Sequence, residues 1–156
     1  MIAYFAYASN MSAPVMDAAC PGHRFLGPAR LPSHRLAFTR RSVRTGTGVA
    51  DIVDDPASAV WGVLYELAEG ELGALDRKEG AGWAYERREV HVHLDDARAA
   101  RSAVAYVVMQ KSALEIPPSD DYARRLVDAG RERGLPADYL AALGGHLDRV
   151  RRGSGG

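Results

Sequence analysis

The sequence predicts an α+β protein: a single domain built on a mixed, mostly antiparallel, barrel-like sheet with flanking helices. Three observations point there. Runs rich in β-branched and aromatic residues come mostly first and helical patterns mostly last, and the runs are joined by hairpin-type turns rather than crossover helices. A chain of 156 residues with 47% hydrophobic content fits one core. The domain is assigned to residues 1–148, and residues 149–156, which end in Gly153-Ser154-Gly155-Gly156, are assigned to a flexible tail.

The elements follow in order. Ile2 to Tyr7 is a short apolar and aromatic run that stops at the turn-prone pair Ser9-Asn10, as a buried strand emptying into a loop does. Met11 to Ala19 is predicted as a short helix stopped by Pro21-Gly22. Arg35–Thr39 and Gly48–Val53 are predicted strands bracketing the turn Thr45-Gly46-Thr47-Gly48. Val60 to Leu67 gives the strongest strand signal. The stretch after it places Leu72 and Leu75 on one helical face and ends at Gly80, a residue suited to a left-handed helix cap. Tyr85 to Leu94 alternates as a strand does, and Ser102 to Met109 is a further β-branched run. Ser119 is placed to cap a helix reaching about Arg133, with Asp120 and Asp121 at the positive end of its dipole. A last helix is predicted from Ala137 to about Leu143.

Twenty basic and twenty acidic residues leave no net charge, so no global field draws the protein to nucleic acid or to an anionic membrane, and neither partner is expected. The first fifty residues are uneven: Arg24, Arg30, Arg35, Arg40, Arg41 and Arg44 face Asp17 alone. The single cysteine, Cys20, has no disulfide partner and no paired-cysteine zinc pattern surrounds it, which suits a reducing compartment. With no basic leader at Met1 and no apolar run near membrane-spanning length, a cytoplasmic location is expected.

Some motifs carry little chemistry. Gly46-Thr47-Gly48 lacks the Lys-Ser/Thr continuation and the strand-to-helix setting of a phosphate loop. His91 and His93 share a strand face without a third ligand at a telling interval, so no metal site is predicted. Ser9 lacks a nucleophile elbow, and Cys20 lacks an evident histidine partner.

Two segments carry more. At Tyr7-Ala8-Ser9-Asn10 a buried strand ends in small polar residues whose N–H groups can converge on an anion. At Leu75-Asp76-Arg77-Lys78-Glu79-Gly80 a helix ends on a carboxylate, with Trp83 and Tyr85 just beyond, a setting suited to a proton shuttle.

Tyr7-Ala8-Ser9-Asn10-Met11 resembles the Tyr-Gly-Ser-Asn-Met/Leu opening of the γ-glutamylcyclotransferase-like family. Val60-Trp61-Gly62-Val63-Leu64-Tyr65, followed by Leu75-Asp76, Glu79-Gly80, Tyr85 and Arg87, is similar to its central block. Pro117-Pro118-Ser119, Tyr122, Gly130 and Gly134-Leu135-Pro136 with Tyr139 resemble its C-terminal segment. The resemblance implies a cofactor-independent and metal-free enzyme that cyclises a γ-glutamyl group to 5-oxoproline and releases an amine or amino acid. It implies Glu79 as the general base and acid, and Tyr7, Ala8, Ser9, Asn10, Tyr85 and Tyr122 as residues around the substrate. It also implies a small-molecule γ-glutamyl partner and self-association as a homodimer.

One departure stands out. The family usually has glycine where this chain has Ala8. A positive φ at that position would cost an alanine about 1 kcal/mol and shift the loop, whereas a negative φ would add only a methyl group. The departure leaves an alternative in which the chain is a non-catalytic member that binds a small ligand or a protein partner.

Overall fold

The computed structural model describes residues 1–94 and 98–153. Strand β1 (Ile2–Ala6) is buried on both faces from Tyr4 to Ala6, as its unbroken apolar run requires. A single 3-10 turn (Ser9–Met11) and helix α1 (Ala13–Ala19) follow. Pro14 sits in the first turn of α1, where its missing N–H costs nothing.

Two long strands, β2 (Arg24–Arg41) and β3 (Gly48–Leu67), pair antiparallel along most of their length. Here the fold departs from expectation: the strands predicted at Gly48–Val53 and Val60–Leu67 are one strand, and β2 begins well before Arg35. The register shifts between Phe25 and Gly27, Pro32 and His34, and Ala37 and Arg40 are the physical reason. Pro28 and Pro32 lie beside such irregularities, so residues that look like strand breakers bend the ribbon without ending it. Bent in this way, β2 and β3 help to close a barrel.

Helix α2 (Glu69–Glu79) connects to β4 (Tyr85–Leu94), which pairs antiparallel with β5 (Arg101–Val108). The strand order is β1-β3-β2-β4-β5, and β5 closes the barrel through a parallel contact, Tyr4 to Val104. Phe5, Phe38, Ile52, Leu64, Tyr65 and Leu67 have essentially no exposure and form the middle of one continuous core. Truncating any of these leucines to alanine should cost about 2–5 kcal/mol.

Helix α3 (Asp120–Glu132) starts as expected, with the Ser119 hydroxyl accepting the Tyr122 N–H at 3.0 Å. Helix α4 spans Ala137–Gly153 and corrects the expected boundary. Residues 149–153 are helical and not a loose tail, because buried Leu147 and core-packed Val150 prolong the apolar face beyond Leu143. Residues 154–156 of the expected tail lie outside the described residues. No described helix is long and apolar enough to cross a membrane.

Candidate active site

One cavity of about 310 Å³ opens at an end of the barrel, and all seven residues singled out in the sequence line it: Tyr7, Ala8, Ser9, Asn10, Glu79, Tyr85 and Tyr122. They come from four separate elements. The end of β1 delivers Tyr7 and the turn after it, the last residue of α2 is Glu79, β4 begins with Tyr85, and the first turn of α3 presents Tyr122.

The turn at Ser9–Met11 is held from behind. The Tyr65 hydroxyl lies 2.8 Å from the Asn10 carbonyl oxygen and 3.0 Å from that of Met11. Arg133 donates from Nε to the Met11 carbonyl at 2.9 Å and from Nη2 to the Tyr65 hydroxyl at 3.2 Å. The turn's first internal bond runs from the Met11 N–H to the Ala8 carbonyl, so the N–H groups of Ser9 and Asn10 precede it and have no partner within the turn. Ala8 has φ −137°, which carries no left-handed penalty, and its side chain adds only a methyl group to the cavity wall. Alanine in place of glycine therefore brings no left-handed strain to this turn.

Glu79 owes its position to Gly80. That glycine takes φ +66° and ends α2, and a Cβ there would lie 2.6 Å from the Trp83 ring. Glu79 is thereby left at the end of α2 in the cavity wall, with its side chain 18% exposed. Its Oε1 accepts a hydrogen bond from Asn10 Nδ2 at 2.9 Å and lies 3.8 Å from the Lys78 ammonium. Its Oε2 makes no hydrogen bond among the described residues. Asn10 Nδ2 also donates to the Tyr4 hydroxyl at 2.8 Å. Because a carboxylate can only accept, this arrangement fixes the Asn10 amide with Oδ1 turned away from Glu79. Asn10 is 3% exposed, and its Oδ1 is the one buried side-chain polar atom without a partner among the described residues.

The tyrosines divide by what their protons do. Tyr7 donates to the Tyr106 carbonyl at 2.6 Å, and Tyr85 donates to the Ala50 carbonyl at 3.0 Å, so both protons are committed and these rings serve as walls. Tyr122 instead accepts the Ala50 N–H at 3.0 Å, which leaves its own proton to give. Burial pushes the Tyr122 phenol up to about 12, the Ala50 N–H opposing and the Glu79 charge adding to the rise. Burial and, next, Glu79 likewise hold Tyr4 well above its ordinary range. These phenols stay protonated at neutral pH.

Trp83 stands apart from the expected picture. It is 64% exposed, and it lies at the rim beneath Arg40, whose guanidinium carbon is 5.2 Å from the ring centroid. Tyrosines, not Trp83, enclose the inner end. Sequence reasoning missed Tyr4, Tyr106, Arg40, Arg44 and Lys78 as cavity residues. The only trace of the arginines was the positive excess in the first fifty residues; Tyr4 and Tyr106 looked like ordinary strand aromatics. Of the residues set aside, Cys20 is buried and free. His91 and His93 do not line the cavity, and no group of three or more metal-ligating side chains occurs among the described residues.

Comparison with known proteins bears on the family and the fold. The model of the AIG2-like family matches residues 59–143. The γ-glutamylcyclotransferase of Homo sapiens is 30% identical over 145 residues, covering 90% of this chain and 76% of the human protein. The γ-glutamylcyclotransferase of Bos taurus is 29% identical over the same span. A solved structure described as a γ-glutamyl cyclotransferase superposes with a TM-score of 0.84 at 28% identity, covering 91% of this chain and 85% of that one.

Proposed function

The chain belongs to the γ-glutamylcyclotransferase-like (AIG2-like) family, and from that premise we propose that it cyclises the γ-glutamyl group of a γ-glutamyl amide, releasing 5-oxoproline and an amine. The observation that carries this reading is Glu79, held through one oxygen by Asn10 while the other is uncommitted, in a cavity ringed by protonated tyrosines.

The reaction makes one C–N bond and breaks another. The substrate's α-nitrogen attacks its own γ-carbonyl carbon to form a five-membered lactam, and the amide bond to the departing amine breaks. The net proton movement is from the attacking to the leaving nitrogen. A single carboxylate between them serves, as base and then as acid. Because the attack is intramolecular, the protein has chiefly to fold the substrate and stabilise the oxyanion. Tyr122 and the N–H groups of Ser9 and Asn10 are suited to the oxyanion or to the substrate carboxylate. Tyr7, Ala8 and Tyr85 shape the walls. No step calls on a cofactor.

The test is direct. The purified protein, incubated with a panel of γ-glutamyl amino acids and γ-glutamylamines, should release 5-oxoproline measurable by mass spectrometry. Absence of 5-oxoproline from every compound would overturn the reading in favour of a non-catalytic ligand-binding protein.

A further inference from the structure

Resting on the γ-glutamyl amide reading, we propose that Arg40 sets the substrate preference of this site, its guanidinium holding a carboxylate carried by the departing amine.

The cavity has two ends of different chemistry. Glu79, Asn10 and the tyrosines occupy the inner end, whereas Arg40, Ser42, Val43, Arg44, Lys78 and Trp83 form the rim. A substrate whose γ-carbonyl meets Glu79 extends its departing amine toward that rim. Three cations against one carboxylate leave the lining with two net positive charges, from Arg40, Arg44 and Lys78 less Glu79. A γ-glutamyl amide of a simple alkylamine is neutral overall, one of a diamine is positive, and one whose amine bears a carboxylate is negative. The field of the rim favours the last class.

Arg40 is the rim cation best prepared to bind. It is half-buried at the end of β2 and fixed over the face of Trp83, and among the described residues it has no ion-pair partner. Other arginines of this chain do find carboxylates: Arg24 with Glu66, Arg87 with Asp76, and Arg125 with Asp121. A guanidinium over the face of an indole is attracted there as a cation and keeps its N–H donors for a carboxylate, which it can bind through two parallel bonds. Arg44 is also unpaired but lies exposed in the hairpin loop, and Lys78 already leans on Glu79 at 3.8 Å. They add field; Arg40 supplies the geometry.

The test compares two substrates that differ only in that carboxylate, γ-glutamylalanine and γ-glutamylethylamine, in the wild type and in Arg40→Gln and Arg40→Glu. The reading is the ratio of kcat/KM for the two compounds, taken on one preparation so that the folded fraction cancels. The wild type should favour γ-glutamylalanine by about tenfold or more, the worth of one charge-assisted bond. Arg40→Gln should reduce that ratio about tenfold, and Arg40→Glu should shift preference toward a γ-glutamyl diamine. An unchanged ratio would overturn the proposal. So would an equal fall for both compounds, which would place Arg40 on the γ-glutamyl group's own carboxylate. Release of 5-oxoproline from neither compound in the wild type would overturn the cyclotransferase reading itself and this inference with it.

Discussion

The corner where α2 meets β4 and the side where residues 109–118 lie against β2 both hold carboxylates, on opposite terms. On the β2 side Asp51 is completely buried and both its oxygens are taken: Oδ1 by the Val108 N–H at 3.0 Å, Oδ2 by the Thr39 hydroxyl at 2.7 Å and the Lys111 ammonium at 2.6 Å. Glu115 is engaged likewise by His146 and by the Phe38 N–H. At the other corner Glu79, which lines the cavity, has one oxygen engaged by Asn10 and the other without a hydrogen bond among the described residues. A carboxylate with hydrogen bonds on both oxygens takes a proton only at the expense of one of them, so it anchors. A carboxylate with a spare oxygen beside a void can take a proton and return it. The number of partners, not burial, is what sets Glu79 apart from these anchors and suits it to the proposed proton transfer.

The largest effect should come from Glu79→Gln. Glutamine keeps the size and the bond from Asn10 but cannot titrate. General acid–base catalysis is commonly worth 10²–10⁴-fold, so turnover should drop at least about a hundredfold, with thermal stability nearly unchanged. Turnover within a few-fold of wild type would clear Glu79 of the role. The neighbouring carboxylates Glu86 and Glu89 would then need testing, although both are exposed on β4 and neither lines the cavity.

Lys111→Met should give the opposite signature. It strands Asp51 without its cation, and because Lys111 is 33% exposed the penalty should fall below that of a fully buried pair, at about 2 kcal/mol. The urea midpoint should fall with an unchanged slope, while kcat per folded molecule stays within a few-fold. A stable Lys111→Met protein with collapsed turnover would mean that Asp51 also serves the chemistry.

How much of this was legible in the sequence follows from the reach of each signal. The α2 terminus, Glu79 and Gly80 were readable because cap chemistry is local, and so were Ser119 and the opening turns of α3. The continuity of β2 and β3 was not, because Pro28, Pro32 and Pro56 look like breaks until the register shifts that absorb them are seen. Tyr7, Ser9, Asn10, Tyr85 and Tyr122 were found through resemblance and now share one cavity, yet which tyrosine keeps a free proton depends on Ala50, more than thirty residues from either Tyr85 or Tyr122. Arg40 over Trp83 is likewise a contact between the end of β2 and the turn before β4 that no local pattern encodes.

The smallest expected effect sharpens the anchoring half of the comparison through pH. Burial alone would raise the Glu115 carboxyl, but the hydrogen bond and charge of His146, with the Phe38 N–H, outweigh it and hold the group below its ordinary value of 4.5. A carboxyl depressed in the folded state stabilises the fold above its unfolded pKa, and that contribution disappears as pH falls through the folded value. Glu115→Gln should therefore be less stable than wild type at about pH 7, and the gap should narrow steadily below about pH 4.5. Asp55, Asp76 and Asp121 are depressed in both proteins, so their acid lability cancels in the difference. Urea midpoints for the two proteins at about pH 7, 5, 4 and 3 measure the gap. A gap that stayed constant across this range would mean that Glu115 holds the 109–118 segment by shape and neutral hydrogen bonding, with no part played by its charge.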